Sequence, residues 1–199
     1  MVKVYCIGVG GNGQTYFMDY LKDIVVNNID DKDGLKHLCC PTKIGREGFQ
    51  GVKVIYVYNK TFDSICSHYR RQWAPIQMQK IKKHENNKYN AYNHVNKYFD
   101  LVESTRTDHF GMEDHFIRWY QYRKNMNVYY LNMGCINKQE LAKFLQCDVE
   151  KFRDLNFDSS SRHKYNDLKQ KYPLSVMLYE KIDNKIKQLS EDHNKKLFI

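Results

Sequence analysis

The 199-residue chain has only three prolines and no CxxC pair, and no apolar run approaches the roughly 20 residues that cross a bilayer. With few hard breaks, no internal repeat and no low-complexity linker, residues 1–199 are expected to form a single domain. The chain enters a strand-like run at once, without the basic start and apolar middle of a signal peptide, which points to a cytoplasmic protein with no membrane partner. Six cysteines scattered through such a chain read as reduced thiols that serve as buried apolar residues. His84, His94, His109 and His115 show no metal-ligand spacing and have no cysteine companions, so no metal site is expected.

What the chain has in excess is positive charge: 32 lysines and arginines against 23 acidic residues, a formal net charge of +9. That balance suits an anionic partner such as a nucleotide or a sulfated or phosphorylated substrate. Nucleic acid is not expected, because the basic run 80–97 reads as a solvated face and the aromatic residues from Trp119 to Tyr130 recur at core spacing. The Lys-, Asn- and Tyr-rich usage is also what an AT-rich genome, such as that of a large DNA virus or a protist, would encode.

Residues 2–7 alternate and end in glycine, as a buried strand entering a turn does. From 15 to 28 the apolar residues Tyr16, Phe17, Tyr20, Leu21, Ile24 and Val25 recur at helical spacing. A short segment, 35–40, is stopped by Pro41, and 52–58 is β-branched and aromatic, like a core strand. Helices are predicted at 62–73, 112–123, 138–145 and 172–189, and a third strand at 128–133. Residues 74–98 are expected to form a mobile loop or lid, and 190–199 a frayed tail. Strands alternating with helices predict an α/β fold with a mostly parallel central sheet flanked by helices.

Gly8-Val9-Gly10-Gly11-Asn12-Gly13-Gln14-Thr15 lies between a strand and a helix, where backbone N–H groups can wrap an anion. Gly8, Gly10 and Gly13 spell GxGxxG, and Gly8 to Thr15 also spell a Walker A loop with Gln14 in the lysine position. A dinucleotide site needs an acidic residue at the tip of the next strand; Asp30, Asp31 and Asp33 fall in a polar stretch instead. The glycine string also looks like that of the enzymes that adenylate ubiquitin-like proteins, but their downstream arginine and aspartate constellations have no counterpart here. An ordinary NTPase would lack the charge that holds its terminal phosphates. Taken alone, the turn suits a phosphate ligand or a purely structural tight turn.

Two further segments carry a resemblance. Leu35-Lys36-His37-Leu38-Cys39-Cys40-Pro41 looks like the K-T-H-L-P segment of the sulfotransferases. The strand Val54-Ile55-Tyr56-Val57-Tyr58, followed by Asn59-Lys60-Thr61-Phe62-Asp63 and Ser67, is similar to that family's I-Y-V strand with R-N-P-x-D-x-x-x-S. Glycine loop, histidine segment and Asp-x-x-x-Ser strand follow one another in the family's order. Beyond Ser67 the resemblance is one of pattern: Phe110-Gly111-Met112-Glu113 and Val128-Tyr129-Tyr130-Leu131 look like the fold's later helix and strand.

Resemblance to sulfotransferases implies a three-layer P-loop-type fold and the donor 3′-phosphoadenosine 5′-phosphosulfate. It also implies sulfuryl transfer to a hydroxyl of a carbohydrate or small-molecule acceptor. Gly10, Gly11, Asn12, Gly13, Gln14 and Thr15 would then hold the 5′-phosphosulfate, and Ser67 the 3′-phosphate. His37 would be the general base, with Lys36 reaching the sulfuryl group. Two cations of the family pattern are absent: its loop lysine falls on Gly11, and its second-signature arginine on Asn59. Arg71, a turn beyond Ser67, and Arg162, in the late basic segment 159–164, are the candidates to resupply charge at the nucleotide. A member that binds the nucleotide or another anion without turning it over fits the same residues.

Overall fold

Three runs of β-branched and aromatic residues form strands β1 (Val4–Ile7), β2 (Lys53–Tyr58) and β3 (Asn127–Asn132) in the computed structural model. It describes residues 2–30, 35–43, 52–82, 93–123, 126–157 and 165–198. The strands pair in parallel in the order β1-β2-β3, with Cys6 opposite Ile55 and Ile55 opposite Tyr129. Parallel neighbours need long crossovers. Helix α1 (Gln14–Leu21) lies in the first crossover. The second holds α2 (Thr61–Arg70), α3 (Ala74–Lys82), α4 (Val95–Thr105) and α5 (Met112–Tyr122). After β3 come α6 (Lys138–Leu145), α7 (Asn166–Lys171) and the long α8 (Pro173–Leu197). The protein is thus α/β, a small parallel sheet flanked by helices, as the alternation of elements predicts.

Successive strand side chains point to opposite faces, and here both faces are buried. Val54, Tyr56 and Tyr58 of β2 enter one core with α2, α4, α5 and α8, whereas Ile55 and Val57 enter a second core with α1 and α6. That is why β2 reads as a continuous apolar run rather than an alternating one. In the larger core Tyr56 sits edge-on to Phe116 at 5.5 Å between centroids, and Phe62 stacks on Phe99 at 4.5 Å. Burying each such ring contributes about 1.5–3 kcal/mol.

A three-stranded sheet has two open edges, and an asparagine seals each. The Asn28 Oδ1 accepts the Cys6 N–H at 2.7 Å, and its Nδ2 donates to the Cys6 carbonyl at 3.2 Å on β1. On β3, Asn194 Oδ1 accepts the Tyr130 N–H at 3.0 Å and its Nδ2 donates to the Tyr130 carbonyl at 2.8 Å. A carboxamide carries one donor and one acceptor side by side, so it stands in for the peptide of a missing strand.

Several sequence expectations are corrected. The first helix ends at Leu21 instead of residue 28, because Val26 turns back to bridge Lys3 and brings Asn28 to the β1 edge. Residues 74–98 are not one loop: 74–82 form α3 and 95–98 open α4, both burying apolar side chains such as Met78, Ile81 and Tyr98. The supposed tail 190–199 is helical through Leu197, since Ser190 and Asn194 face the sheet as the last buried turns of α8. Cys6, Cys39 and Cys66 are buried, but Cys135 is exposed. No helix among the described residues is long and apolar enough to cross a membrane.

The sealed β3 edge makes a prediction. Asn194→Ala leaves a buried N–H and C=O of Tyr130 unpaired and should cost about 2–3 kcal/mol, read as a lower urea midpoint. Lys196→Ala, exposed on the same helix, should leave the midpoint unchanged; equal effects of the two would return this segment to the status of a tail.

Candidate functional site

β1 ends at Ile7 and the glycine turn follows at its carboxyl end. Gly11 and Gly13 have φ of +71° and +94°, a left-handed region that side chains other than glycine's rarely adopt. Space is as strict as the dihedrals: a Cβ on Gly11 would lie 2.6 Å from the Ser64 carbonyl oxygen, and one on Gly13 2.3 Å from the Phe157 ring. Gly11 is the position where the sulfotransferase pattern has its loop lysine, so this packing excludes any side chain there.

Two carboxamides hold the turn from below. Asn12 Nδ2 donates to the Val57 carbonyl at 2.8 Å, and its Oδ1 accepts the Gln14 N–H at 3.2 Å. Gln14 Nε2 donates to the carbonyls of Cys6 (2.9 Å) and Lys36 (3.1 Å). Gln14, in the Walker lysine position, is therefore a buried tie between β1 and the segment carrying His37, not a charge donor to phosphate. The backbone amides of Gly11, Gly13 and Thr15 have no acceptor among the described residues and remain the turn's open donors.

Residues 35–37 make one turn of 3-10 helix, tied to the glycine turn by Gly8 N–H donating to the Lys36 carbonyl at 3.1 Å. Side chains of α5 grip the next carbonyls. His115 Nε2 and Trp119 Nε1 both donate to Leu38 (2.9 and 3.0 Å), and Arg118 Nε donates to Cys39 (3.0 Å). His37 itself donates from Nδ1 to the Gly8 carbonyl at 2.8 Å. Burial holds its pKa down to about 4, with the charges of Lys80, Lys36 and Arg71 acting the same way against the bond to Gly8. The imidazole is thus neutral near pH 7, with its proton fixed on Nδ1 and a lone pair left on Nε2.

Sequence reasoning overlooked His68. It lies buried on α2, stacked on Phe110, and donates from Nε2 to the Val9 carbonyl at 3.0 Å, where Gln77 Nε2 also donates at 2.7 Å. Burial, then the Arg71 charge, lowers its pKa to about 4. Its Nδ1 has no hydrogen-bond partner among the described residues. Its only sequence signal was its place three residues after Ile65 on the buried face of α2.

Glycine turn, 35–37 segment and α2 enclose a cleft of about 1130 Å³. It lies at the carboxyl ends of all three strands: Gly10 follows β1, Asn59 and Lys60 follow β2, and Gly134 follows β3. In open α/β sheets this is where ligands bind. Of the residues singled out from sequence, Gly10, Gly11, Gly13, Gln14 and Thr15 line the cleft, and so do Lys36, His37, Asn59, Ser67 and Arg71. Asn12, 1% exposed beneath the turn, does not, and Arg162 lies outside the described residues. Lys36, Lys60, Arg70, Arg71 and Lys169 bring five cations to the lining against one carboxylate, Asp63, which pairs with Lys169 at 2.6 Å. Arg71 is oriented by its Nε donating to the Ser67 carbonyl at 3.2 Å. Lys60 has no capping side chain, so the first turn of α2 is capped from α8: Asp183 accepts from the Thr61 N–H at 3.0 Å and from its hydroxyl.

Fold and cleft define an α/β protein with a cationic, glycine-lined cleft at the carboxyl end of a parallel sheet. Compared with known proteins, the chain matches no family model and no curated sequence.

Restoring the Walker lysine should fail. Gln14→Lys buries an ammonium that neither carbonyl partner neutralises and should cost at least about 2 kcal/mol, seen as a drop in Tm rather than as gained nucleotide hydrolysis. The histidines set an acid limit. His37, His68 and His115, held down to about 4, 4 and 3, take protons more readily when unfolded, so their stabilisation is full above their ordinary value of 6.5 and is lost as pH falls toward 4. Asp183, pushed up to about 6 by burial, works in the opposite sense and offsets part of the loss below that pH. His115→Gln should flatten the acid side of a Tm–pH profile; an unchanged slope would contradict the neutral, doubly bonded His115.

Proposed function

We propose that this chain is a sulfotransferase-like cytoplasmic protein of the three-layer P-loop type. It binds 3′-phosphoadenosine 5′-phosphosulfate in the cleft and passes the sulfuryl group to a hydroxyl of a carbohydrate or small-molecule acceptor. The observation that carries this reading is convergence. Gly10, Gly11, Gly13, Gln14 and Thr15, Lys36 and His37, Asn59, and Ser67 and Arg71, far apart in sequence, line one cationic cleft.

Open amides of Gly11, Gly13 and Thr15 meet the 5′-phosphosulfate oxygens at the N-terminus of α1, and Ser67 with Arg71 meets the 3′-phosphate. His37 Nε2 accepts the acceptor hydroxyl's proton as that oxygen bonds to sulfur. The bond from sulfur to the bridging phosphate oxygen breaks, and its electron pair leaves with 3′-phosphoadenosine 5′-phosphate. With Gly11 barred from carrying a lysine, Lys36 supplies the charge at the sulfuryl group. A nucleotide anion beside His37 also raises its affinity for the proton, bringing its low pKa toward neutrality. The same closed space at Gly11 favours a second reading, a protein that holds the nucleotide without turnover.

Calorimetric titration with 3′-phosphoadenosine 5′-phosphate, beside ATP and NAD, tests the site. Micromolar binding that weakens about tenfold in Ser67→Ala is expected. Binding of ATP or NAD alone would hand the cleft to another nucleotide class. With acceptor present, His37→Gln should keep donor affinity and abolish transfer; unchanged turnover would remove His37 from the chemistry, and donor binding with no turnover by the unaltered chain would leave the second reading.

A further inference from the structure

Cys39 and Cys40 follow closely on the 35–37 turn that carries His37, and both are thiols. They differ in burial: Cys39 is only 4% exposed, whereas Cys40 is half-buried. Successive side chains of an extended chain point apart, but here the Cys39 thiol donates to the Cys40 sulfur across 3.7 Å. Thr42 Oγ1 lies 3.0 Å from Cys40 Sγ, close enough to share a hydrogen bond with it. A buried thiol in contact with a reachable one is the arrangement of a resolving and an attacking cysteine.

The peptide between them belongs to the supports of the site. Its carbonyl, that of Cys39, accepts from Arg118 Nε at 3.0 Å, and Arg118 Nη2 also donates to the Ile81 carbonyl at 2.8 Å. One residue back, His115 and Trp119 hold the Leu38 carbonyl. A bond between the two sulfurs closes an eight-membered ring that contains this peptide. Neighbouring Cα atoms lie about 3.8 Å apart, short of the roughly 4.4–6.8 Å of ordinary disulfides. The peptide must therefore turn for the ring to close, and the bond is easily reduced again. Turning it takes the Cys39 carbonyl away from Arg118.

We propose that Cys39 and Cys40 form a peroxide-reactive dithiol whose oxidation unseats the segment carrying His37. The Cys40 thiolate attacks one oxygen of hydrogen peroxide; the O–O bond breaks, hydroxide leaves and takes up a proton as water, and Cys40 becomes a sulfenic acid. Cys39 Sγ then attacks the Cys40 sulfur, forming the S–S bond and releasing the second water. Two thiols and one peroxide thus give one disulfide and two waters. A small uncharged oxidant suits a half-buried sulfur, and a cellular dithiol reverses the step. This chemistry needs no bound nucleotide and stands apart from the sulfotransferase-like reading.

Cleavage at Lys36 and Lys43 releases residues 37–43, which hold Cys39 and Cys40 and no other cysteine. After the whole chain is treated with equimolar hydrogen peroxide, this peptide should be lighter by two hydrogens, and dithiothreitol should restore it. Cys39→Ala should stop at the sulfenic acid, trapped on Cys40 by dimedone, and Cys40→Ser should leave the peptide unoxidised. Gly8 and Leu38 donate their N–H groups to the Lys36 and Leu35 carbonyls. Hydrogen exchange at these two amides should rise about tenfold in the oxidised chain and stay unchanged in peroxide-treated Cys40→Ser. An unmodified peptide, or sulfinic acid without the ring disulfide, overturns the proposal, because Cys39 would then fail to resolve Cys40. A ring disulfide with unchanged exchange at Gly8 and Leu38 overturns its hold on His37.

Discussion

Everything in this molecule rests on a sheet so narrow that only β2 has a neighbour on each side. Both outer strands present unpaired peptide groups, and an open edge is costly when buried and adhesive when exposed. Asn28 and Asn194 resolve this by offering a carboxamide where a further strand would offer a peptide. The second of these requires α8 to lie along β3, and the same helix carries Asp183 to the first turn of α2. One long C-terminal helix thus closes a sheet edge and completes a helix start that lacks a cap of its own.

Three parallel strands deliver their carboxyl ends to one place, and the cleft is the consequence. Its irregular segments are held through their carbonyls: that of Lys36 by Gly8 and Gln14, of Leu38 by His115 and Trp119, of Val9 by His68 and Gln77. Each donor is a side chain or amide with little freedom left after burial, so His37 is positioned before any ligand arrives. The same burial keeps the three histidines neutral and makes the site sensitive to acid.

Charge and shape divide the cleft's work. The cations around Ser67 and the open amides of the turn suit an anion with several phosphate-like groups. The closed space at Gly11 keeps the glycine turn free of side-chain charge, so the cleft's cations come from neighbouring elements.

The sequence by itself determined the α/β alternation, all three strands, α6 and the glycine turn, because periodicity and backbone freedom act over a few neighbouring residues. It also marked ten of the cleft's lining residues, since motif order follows strand order in a parallel sheet. Only the tertiary structure decided what Gln14, Asn12 and His68 do, for their partners at Cys6, Val57 and Val9 are carbonyls whose position no spacing reveals. It alone made helices of α3 and of the last turns of α8, whose polar sequences are stabilised by burying a few residues against distant elements rather than by local propensity. Trp73 stayed hidden for the same reason: it is exposed and lines the cleft that His37 also lines, and the contact of α3 with the 35–37 turn joins segments that no local pattern connects.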